Sequence, residues 1–347
     1  MSALSPFSEA KSYIPREMEE ARGVRMAARF ATPAEELEAA RSGTALFDRS
    51  DRSLVVLTGG DRQAWLNNLV TNAVTTLDEN AGNYAFAVNL KGRILFDLNI
   101  LCLPGMLWLD LDRLAVTVAA AHFDRHLFSE DVRIEDASGQ MARLACSGPR
   151  AAEVAARLGI THFSALPALG SAALESGAHI LRHDSAGAPG FELFVPRGDA
   201  AAWWERLVES GARPTGYRTL DLLRIEAGIP WLGRDLDDTV LPPETGPVER
   251  GVSYLKGCYL GQEVMERMRS HGAVARRLVP LRVADAASLT LPVPLQRDGA
   301  EIGRITSLVP HPTKPYWPGL GYLKTTVTGY ADITAGDPPH AVTICSA

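Results

Sequence analysis

Ile94-Leu95-Phe96-Asp97-Leu98-Asn99-Ile100-Leu101-Cys102-Leu103, closed by Pro104-Gly105 and followed by Met106-Leu107-Trp108-Leu109-Asp110-Leu111, reads as two β-strands joined by a tight turn. A third strand-like run, residues 84–89, lies just before them behind Lys91-Gly92, so the three form an antiparallel meander. Further upstream, a short strand over residues 54–58 leads to Asp61. That residue opens a helix in which Trp65, Leu66, Leu69 and Val70 recur at helical spacing. Downstream come a helix over 119–128 and a strand over 132–135. The resulting β-α-β-β-(β)-α-β order across residues 51–136 suits a ferredoxin-like α+β module.

Flanking segments repeat the mixed pattern. Residues 34–42 are strong helix formers stopped by Gly43, and residues 48–53 read as a charged turn. After Gly139 come a strand over 142–146, a helix over 149–158, strands over 178–183 and 191–195, and helices over 199–210 and 216–226. These predict a second α+β unit. Beyond Gly272 only short β-like runs rich in Pro and Gly remain, which predicts a small β-barrel or sandwich. No repeat or low-complexity tract interrupts the chain.

The 347 residues are 46% hydrophobic and 22% charged, with a formal net charge of −6. This is globular composition, long enough for two or three domains, and it excludes disorder and collagen-like repeats. An acidic chain argues against a surface devoted to nucleic acid. No run of about 18 uncharged apolar residues exists to span a membrane. Cys102, Cys146, Cys258 and Cys345 are far apart, without a disulfide framework. With no export signal near the start, the expected compartment is the cytoplasm, and a monomer is expected.

Chemistry concentrates in Lys256-Gly257-Cys258-Tyr259-Leu260-Gly261-Gln262-Glu263-Val264. Leu260, Val264 and Met268 recur every four residues, so the pattern places Cys258 at or near a helix N-terminus. There the helix dipole and the Lys256 ammonium would favour a thiolate, whereas an inert buried thiol is the alternative. From Lys256 to Arg277, five basic residues face Glu263 and Glu266, a patch able to receive a polyanion unless it is an ordinary solvated face. Glu226 sits in the last turn of a helix, where the dipole disfavours a carboxylate. It therefore has a specific partner, either an amino-pyrimidine edge or an ion pair with Arg224 or Arg218. His122, His126 and Glu130 have formal metal-ligand spacing, but their charged exit favours a solvated helix face.

Lys256-Gly257-Cys258-Tyr259-x-Gly261-Gln262-Glu263 resembles the signature of YgfZ-type folate-binding proteins, relatives of the glycine-cleavage T-protein that act in iron-sulfur cluster maturation or repair. Leu46-Phe47-Asp48-x-Ser50, Gly59-Gly60-Asp61, Leu69-Val70-Thr71-Asn72, Lys91-Gly92-Arg93-Ile94-Leu95-x-Asp97 and Arg224-Ile225-Glu226-Ala227-Gly228-Ile229-Pro230 extend the likeness over roughly residues 40–345.

The resemblance implies an α+β, three-domain, T-protein-like ring around a tetrahydrofolate site. Its parts would be a folate-binding domain (1–50 plus 137–271), a ferredoxin-like domain (51–136) and a C-terminal β-barrel (272–347). It also implies folate contacts from Glu226, Arg224, Gln262, Tyr84 and Asp97, reactive roles for Cys258, Lys256 and Asp97, and no stable metal. Two departures cut in opposite directions. Phe96 stands where T-protein has the first acid of an Asp-Asp pair, which puts aminomethyl transfer in doubt. Residues 233–244, Gly-Arg-Asp-Leu-Asp-Asp-Thr-Val-Leu-Pro-Pro-Glu, look more like T-protein than like YgfZ proteins.

Two functions are expected from this reading. The first is a folate-binding accessory factor that meets iron-sulfur client enzymes through Cys258 and is not a glycine-cleavage aminomethyltransferase. The second is a folate-dependent methyl or aminomethyl transferase in which Asp97 is the polar group beside the folate.

Overall fold

A computed structural model describes residues 3–161, 163–246, 250–271 and 274–345. The opening meander lies in a five-stranded antiparallel sheet ordered Gly82–Val88, Ile94–Leu103, Met106–Asp112, Arg52–Thr58, Arg133–Asp136. The last four strands follow the ferredoxin-like order, and Gly82–Val88 is added at one edge. Side chains alternate along each strand. Ile94, Phe96, Leu98, Ile100 and Cys102 point with Leu107, Leu109, Leu111, Val55 and Leu57 into a core that also holds Trp65, Ala119 and Phe123. Leu101, Leu103, Trp108 and Leu54 point the other way, against Leu181 and Phe194 of a second sheet.

The helix expected over 119–128 runs from Val116 to Arg125. Its entry is set earlier because the Asp112 carboxylate caps a 3₁₀ turn, Arg113–Ala115, that leads straight into it.

The second sheet has six strands, ordered Ser171–Ala173, His179–Arg182, Gly190–Pro196, Met141–Ser147, Ala45–Asp48, Arg213–Pro214. Helices Ala151–Arg157, Ala200–Glu209 and Tyr217–Glu226 form where the pattern predicts them, and helix Pro33–Ser42 starts on a Thr32–Glu35 capping box. The charged turn begins later than expected, because Ala45–Asp48 is a fully buried strand paired with Met141–Ser147. A three-stranded sheet formed by Ala3–Leu4, Val24–Arg29 and Glu17–Ala21 was not legible in the sequence.

The tail is a closed six-stranded barrel, not a sandwich, with Leu281, Val283, Leu295, Ile305 and Leu323 in its core. The fully buried Arg224 ties the barrel to the rest. It bonds Asp235 and Asp221 and donates 2.7 Å to the Ser307 hydroxyl, while Asp235 accepts from Thr306 and Ser307 at 2.5 and 2.7 Å. The Tyr322 hydroxyl donates to the Asp235 carbonyl at 2.9 Å. No helix among the described residues is long and apolar enough to cross a membrane.

Candidate functional site

The face of the five-stranded sheet turned away from its helices is apolar at one end and polar at the other. The polar end carries Asp97 and Asn99 on one strand, Asp110 and Asp112 on the next, and Arg52 on the third, all nearly or partly buried. Asp110 is fully buried and accepts from Arg52 at 2.8 Å and from Asn99 at 2.7 Å, with Arg143 of the second sheet against its other oxygen. Asp112 meets Arg22 at 3.3 Å, and burial pushes its carboxyl up to about 6.

Asp97 is the open member of this set. Its Oδ2 accepts from the Tyr84 hydroxyl at 3.0 Å, whereas its buried Oδ1 has no hydrogen-bond partner among the described residues. Such an oxygen, in a side chain 8% exposed, is a costly feature unless something is meant to meet it. Burial raises the Asp97 carboxyl pKa, with Arg52 and Arg22 pulling the other way. Tyr84 is pushed well above its ordinary value by burial and by the neighbouring carboxylate.

Tyr84 is positioned by an edge-to-face contact with Phe86, ring centroids 5.0 Å apart. The segment at Gly251 covers both rings so closely that a Cβ there would come within 2.5 Å of the Phe86 ring. Thr71 locks that segment down, donating to the Gly251 carbonyl at 2.5 Å and accepting from the Phe86 amide at 2.9 Å. A carboxyl with one oxygen fixed, one free and a raised pKa can accept a hydrogen bond from a bound amine or exchange a proton with it.

The structure brings Tyr84 and Asp97 together but distributes the other expected residues elsewhere. Phe96 costs the site no acid, because strand alternation turns it into the helix-backed core against His122 and Phe123. Residue 97 alone faces the polar side, so the doubt about aminomethyl transfer that rested on residue 96 loses its basis.

Cys258 is exposed, but the helix begins at Gln262, so the thiol lies ahead of its first turn and outside the reach expected of the dipole. The Lys256 ammonium is not held for the thiol. It donates to the carbonyls of Asn67, Val70 and Asn72 at 2.5, 2.7 and 2.8 Å, using all three of its protons. Gln262 accepts from the Tyr259 amide at 3.3 Å and so belongs to the turn itself.

Glu226 has found partners, though neither Arg224 nor Arg218. It pairs with Arg41 at 2.9 Å and approaches His311 and Lys314 at 3.4 and 3.8 Å, sharing no partner with Tyr84 or Asp97. Arg224 is committed to the barrel junction, and Arg218 pairs with Glu17 and Glu19. Arg224 is buried in these contacts, whereas Glu226 is exposed and its ion pairs lie at the surface.

The basic run is likewise spoken for. Arg267 pairs with Glu263, Arg269 approaches Glu266, Arg276 pairs with Glu244, and Arg277 bonds Tyr330. It is no open polyanion patch. His122 is buried under Phe96 instead of solvated, and Glu130 caps the amides of Phe128 and Ser129. Among the described residues no group of three His, Cys, Asp or Glu is placed to hold a metal ion.

Sequence reasoning missed Arg52, Asn99, Asp110, Asp112 and Arg143. The signal was present, since Asp97, Asn99, Asp110 and Asp112 recur two apart in otherwise apolar strands, which is the mark of a polar patch on one sheet face.

A mixed α+β chain that ends in a closed six-stranded barrel defines a class, and comparison with known proteins agrees with it. Residues 8–252 match the family model described as the GCVT N-terminal domain. An aminomethyltransferase of Geobacillus kaustophilus is 32% identical, with 88% of this chain and 86% of the relative covered. One from Rubrobacter xylanophilus is 31% identical, over 91% and 86%. The chain belongs to the GCVT aminomethyltransferase family. The solved glycine cleavage system aminomethyltransferase T from Bartonella henselae superposes with a TM-score of 0.88, covering 100% of this chain and 97% of that one, and at 21% identity it speaks for the fold.

Proposed function

We propose that this protein is a tetrahydrofolate-dependent one-carbon transferase of the aminomethyl or methyl type, the second of the two functions expected from the sequence. The observation that carries it is the Asp97 carboxyl, nine-tenths buried, fixed by Tyr84 at one oxygen and unpaired at the other. The curated relatives named above are aminomethyltransferases, which favours transfer over the accessory role.

The site suits a reduced pterin in one respect that matters. A ring amine presents an N–H donor, and Asp97 Oδ1 is a buried acceptor without one. Tetrahydrofolate would supply the secondary amine that takes up the one-carbon unit. The chain's residues supply position and proton handling. Tyr84 holds the carboxyl in a single orientation, so its free oxygen is pre-set for an incoming N–H. The raised pKa keeps a carboxyl that can hold or release a proton closer to neutral pH than an exposed aspartate does. Arg52 and Arg22 keep that shift from running further by favouring the carboxylate. The segment at Gly251, packed on the Tyr84 and Phe86 rings, excludes water from the side where they meet.

Calorimetric titration with tetrahydrofolate, paired with an assay for methylene- or methyl-tetrahydrofolate from an aminomethyl or N-methyl donor, tests the reading. The parent protein should bind and turn over. Asp97→Asn should keep folate affinity within severalfold and lose about 10²-fold or more in kcat, the range of a lost general acid-base. Absence of folate binding by the parent would sink the proposal.

The iron-sulfur reading keeps one observation in its favour, the exposed Cys258. Cys258→Ala should leave transfer untouched. If that variant instead loses support of iron-sulfur enzymes in cells while the parent turns over no donor, the accessory role is the correct one.

A further inference from the structure

A cleft of about 360 Å³ opens where the N-terminal strand Ala3–Leu4, the start of strand Arg52–Thr58 and the second sheet meet. Its lining carries five arginines, Arg49, Arg52, Arg113, Arg143 and Arg197, against a single acid, Asp136.

Three of the five form its floor and are matched by buried acids from behind. Arg49 binds Asp51 and Glu192, Arg52 binds Asp110, and Arg143 lies against Asp110 and Glu192. Arg143 lies between the carboxylates of Asp110 and Glu192, each in contact with one of its terminal nitrogens, so the floor is charge-balanced. Burial holds its pKa down to about 9, with the neighbouring Arg52 and Arg49 acting in the same direction and Glu192 opposing them.

Arg113 and Arg197 form the rim. Each is the first residue of a 3₁₀ turn that follows a strand, and each is anchored by its own backbone amide, to Asp51 O at 3.0 Å and Gln140 O at 2.8 Å. Among the described residues neither guanidinium has an ion pair or side-chain hydrogen bond. Three serines add hydroxyls to the lining, and that of Ser50 is spent on Asp48 at 2.5 Å. The Ser53 hydroxyl, in a residue 5% exposed, and the Ser138 hydroxyl are both buried without a hydrogen-bond partner.

Unpaired guanidinium forks at the rim beside unpaired hydroxyl donors, over a charge-balanced floor, are complementary to a planar or tetrahedral oxyanion. They do not suit a cation or a neutral apolar group. We infer that this cleft binds a small carboxylate- or phosphate-bearing molecule at a site separate from Asp97, with Arg113 and Arg197 closing on the anion and Ser53 donating to it. The two sites are neighbours, because the Arg52–Asp110 pair in the floor of the cleft also bonds Asn99, two residues from Asp97.

The experiment is calorimetric titration of the full chain with inorganic phosphate and, separately, with succinate, chloride holding the ionic strength constant. The same titrations are run on Arg113→Gln/Arg197→Gln, Ser53→Ala and Asp97→Asn. One probe or both should bind at one equivalent and raise the thermal midpoint. The arginine double variant should fold with an unchanged midpoint in the absence of anion and bind at least tenfold more weakly, Ser53→Ala severalfold more weakly, and Asp97→Asn as the parent does. Preference for phosphate or for succinate then tells which source of oxyanion the cleft serves.

Three results would overturn the inference. The first is no binding of either probe into the tens of millimolar. The second is equal binding by the arginine double variant. The third is binding strengthened tenfold or more by Asp97→Asn, which would place the anion against that carboxylate in the central site. None of these bears on folate turnover, so this inference and the transferase reading fail independently.

Discussion

At the scale of single residues, the buried carboxyl of Asp97 costs stability. A carboxyl whose pKa is higher in the folded chain than in the unfolded one binds more protons folded than unfolded between those two values. Stability therefore falls as pH rises through that window. Asn at 97 keeps the shape and never ionises. Asp97→Asn should accordingly melt at a higher temperature than the parent at pH 8, and the gap should close below about pH 4, where both side chains are neutral. Thermal melts across that range check it, and a variant less stable than the parent at pH 8 would mean that the carboxylate is better paired than its contacts show.

Cys258 and Lys256 make the complementary case, in which residues adjacent in sequence are separated in role, the thiol exposed and the lysine turned to backbone carbonyls. Lys256 is a structural hydrogen-bond donor whose pKa burial lowers to about 7, and Lys256→Met would strand three partly buried carbonyls. The expected loss is about 3 kcal/mol in denaturant unfolding, with the rate of Cys258 toward a disulfide reagent unchanged. A tenfold slower thiol would restore Lys256 as its activator.

At the scale of elements, strand alternation decides what the substitution at residue 96 means. Phe96 and Asp97 are neighbours in sequence and occupy opposite faces of one sheet, so the aromatic belongs to the core and the acid to the site. The same rule gathers Asn99, Asp110 and Asp112 beside Asp97. Glycines set how closely the covering loops approach. Gly261 has φ +81°, and a Cβ there would sit 2.6 Å from the Asn89 carbonyl. Gly261→Ala should cost about 2 kcal/mol through a strained backbone and a displaced hairpin tip, measured by denaturant unfolding. Cost near zero would show that the hairpin tip can shift freely.

At the scale of the whole molecule, Arg224 is the joint between helix Tyr217–Glu226, the turn at Asp235 and the barrel strand carrying Ser307. Removing one side of a buried ion pair leaves the other uncompensated. Arg224→Met should therefore destabilise by about 3–5 kcal/mol and expose the barrel first to proteolysis. Folate binding by whatever fraction stays folded should survive, because Arg224 has no contact with Asp97. If folate affinity falls while stability holds, Arg224 is a ligand contact after all, as the resemblance implied.

What the chain determines by itself is local and periodic. The meander over residues 84–111, the helices over 34–42, 199–210 and 216–226, and the β-rich tail follow from apolar spacing, caps and turn residues, which act over a few positions. The motifs carried the T-protein superfamily and not the branch within it. The partners of charged side chains were decided only by tertiary structure. Glu226 meets Arg41 and His311 across 185 and 85 positions, Lys256 meets the turn at 67–72, and Asp97 is left with an open oxygen because no donor from the second sheet or the barrel reaches it. Pairing of buried charges is set by which surfaces the core brings into register, and no period along the chain records that.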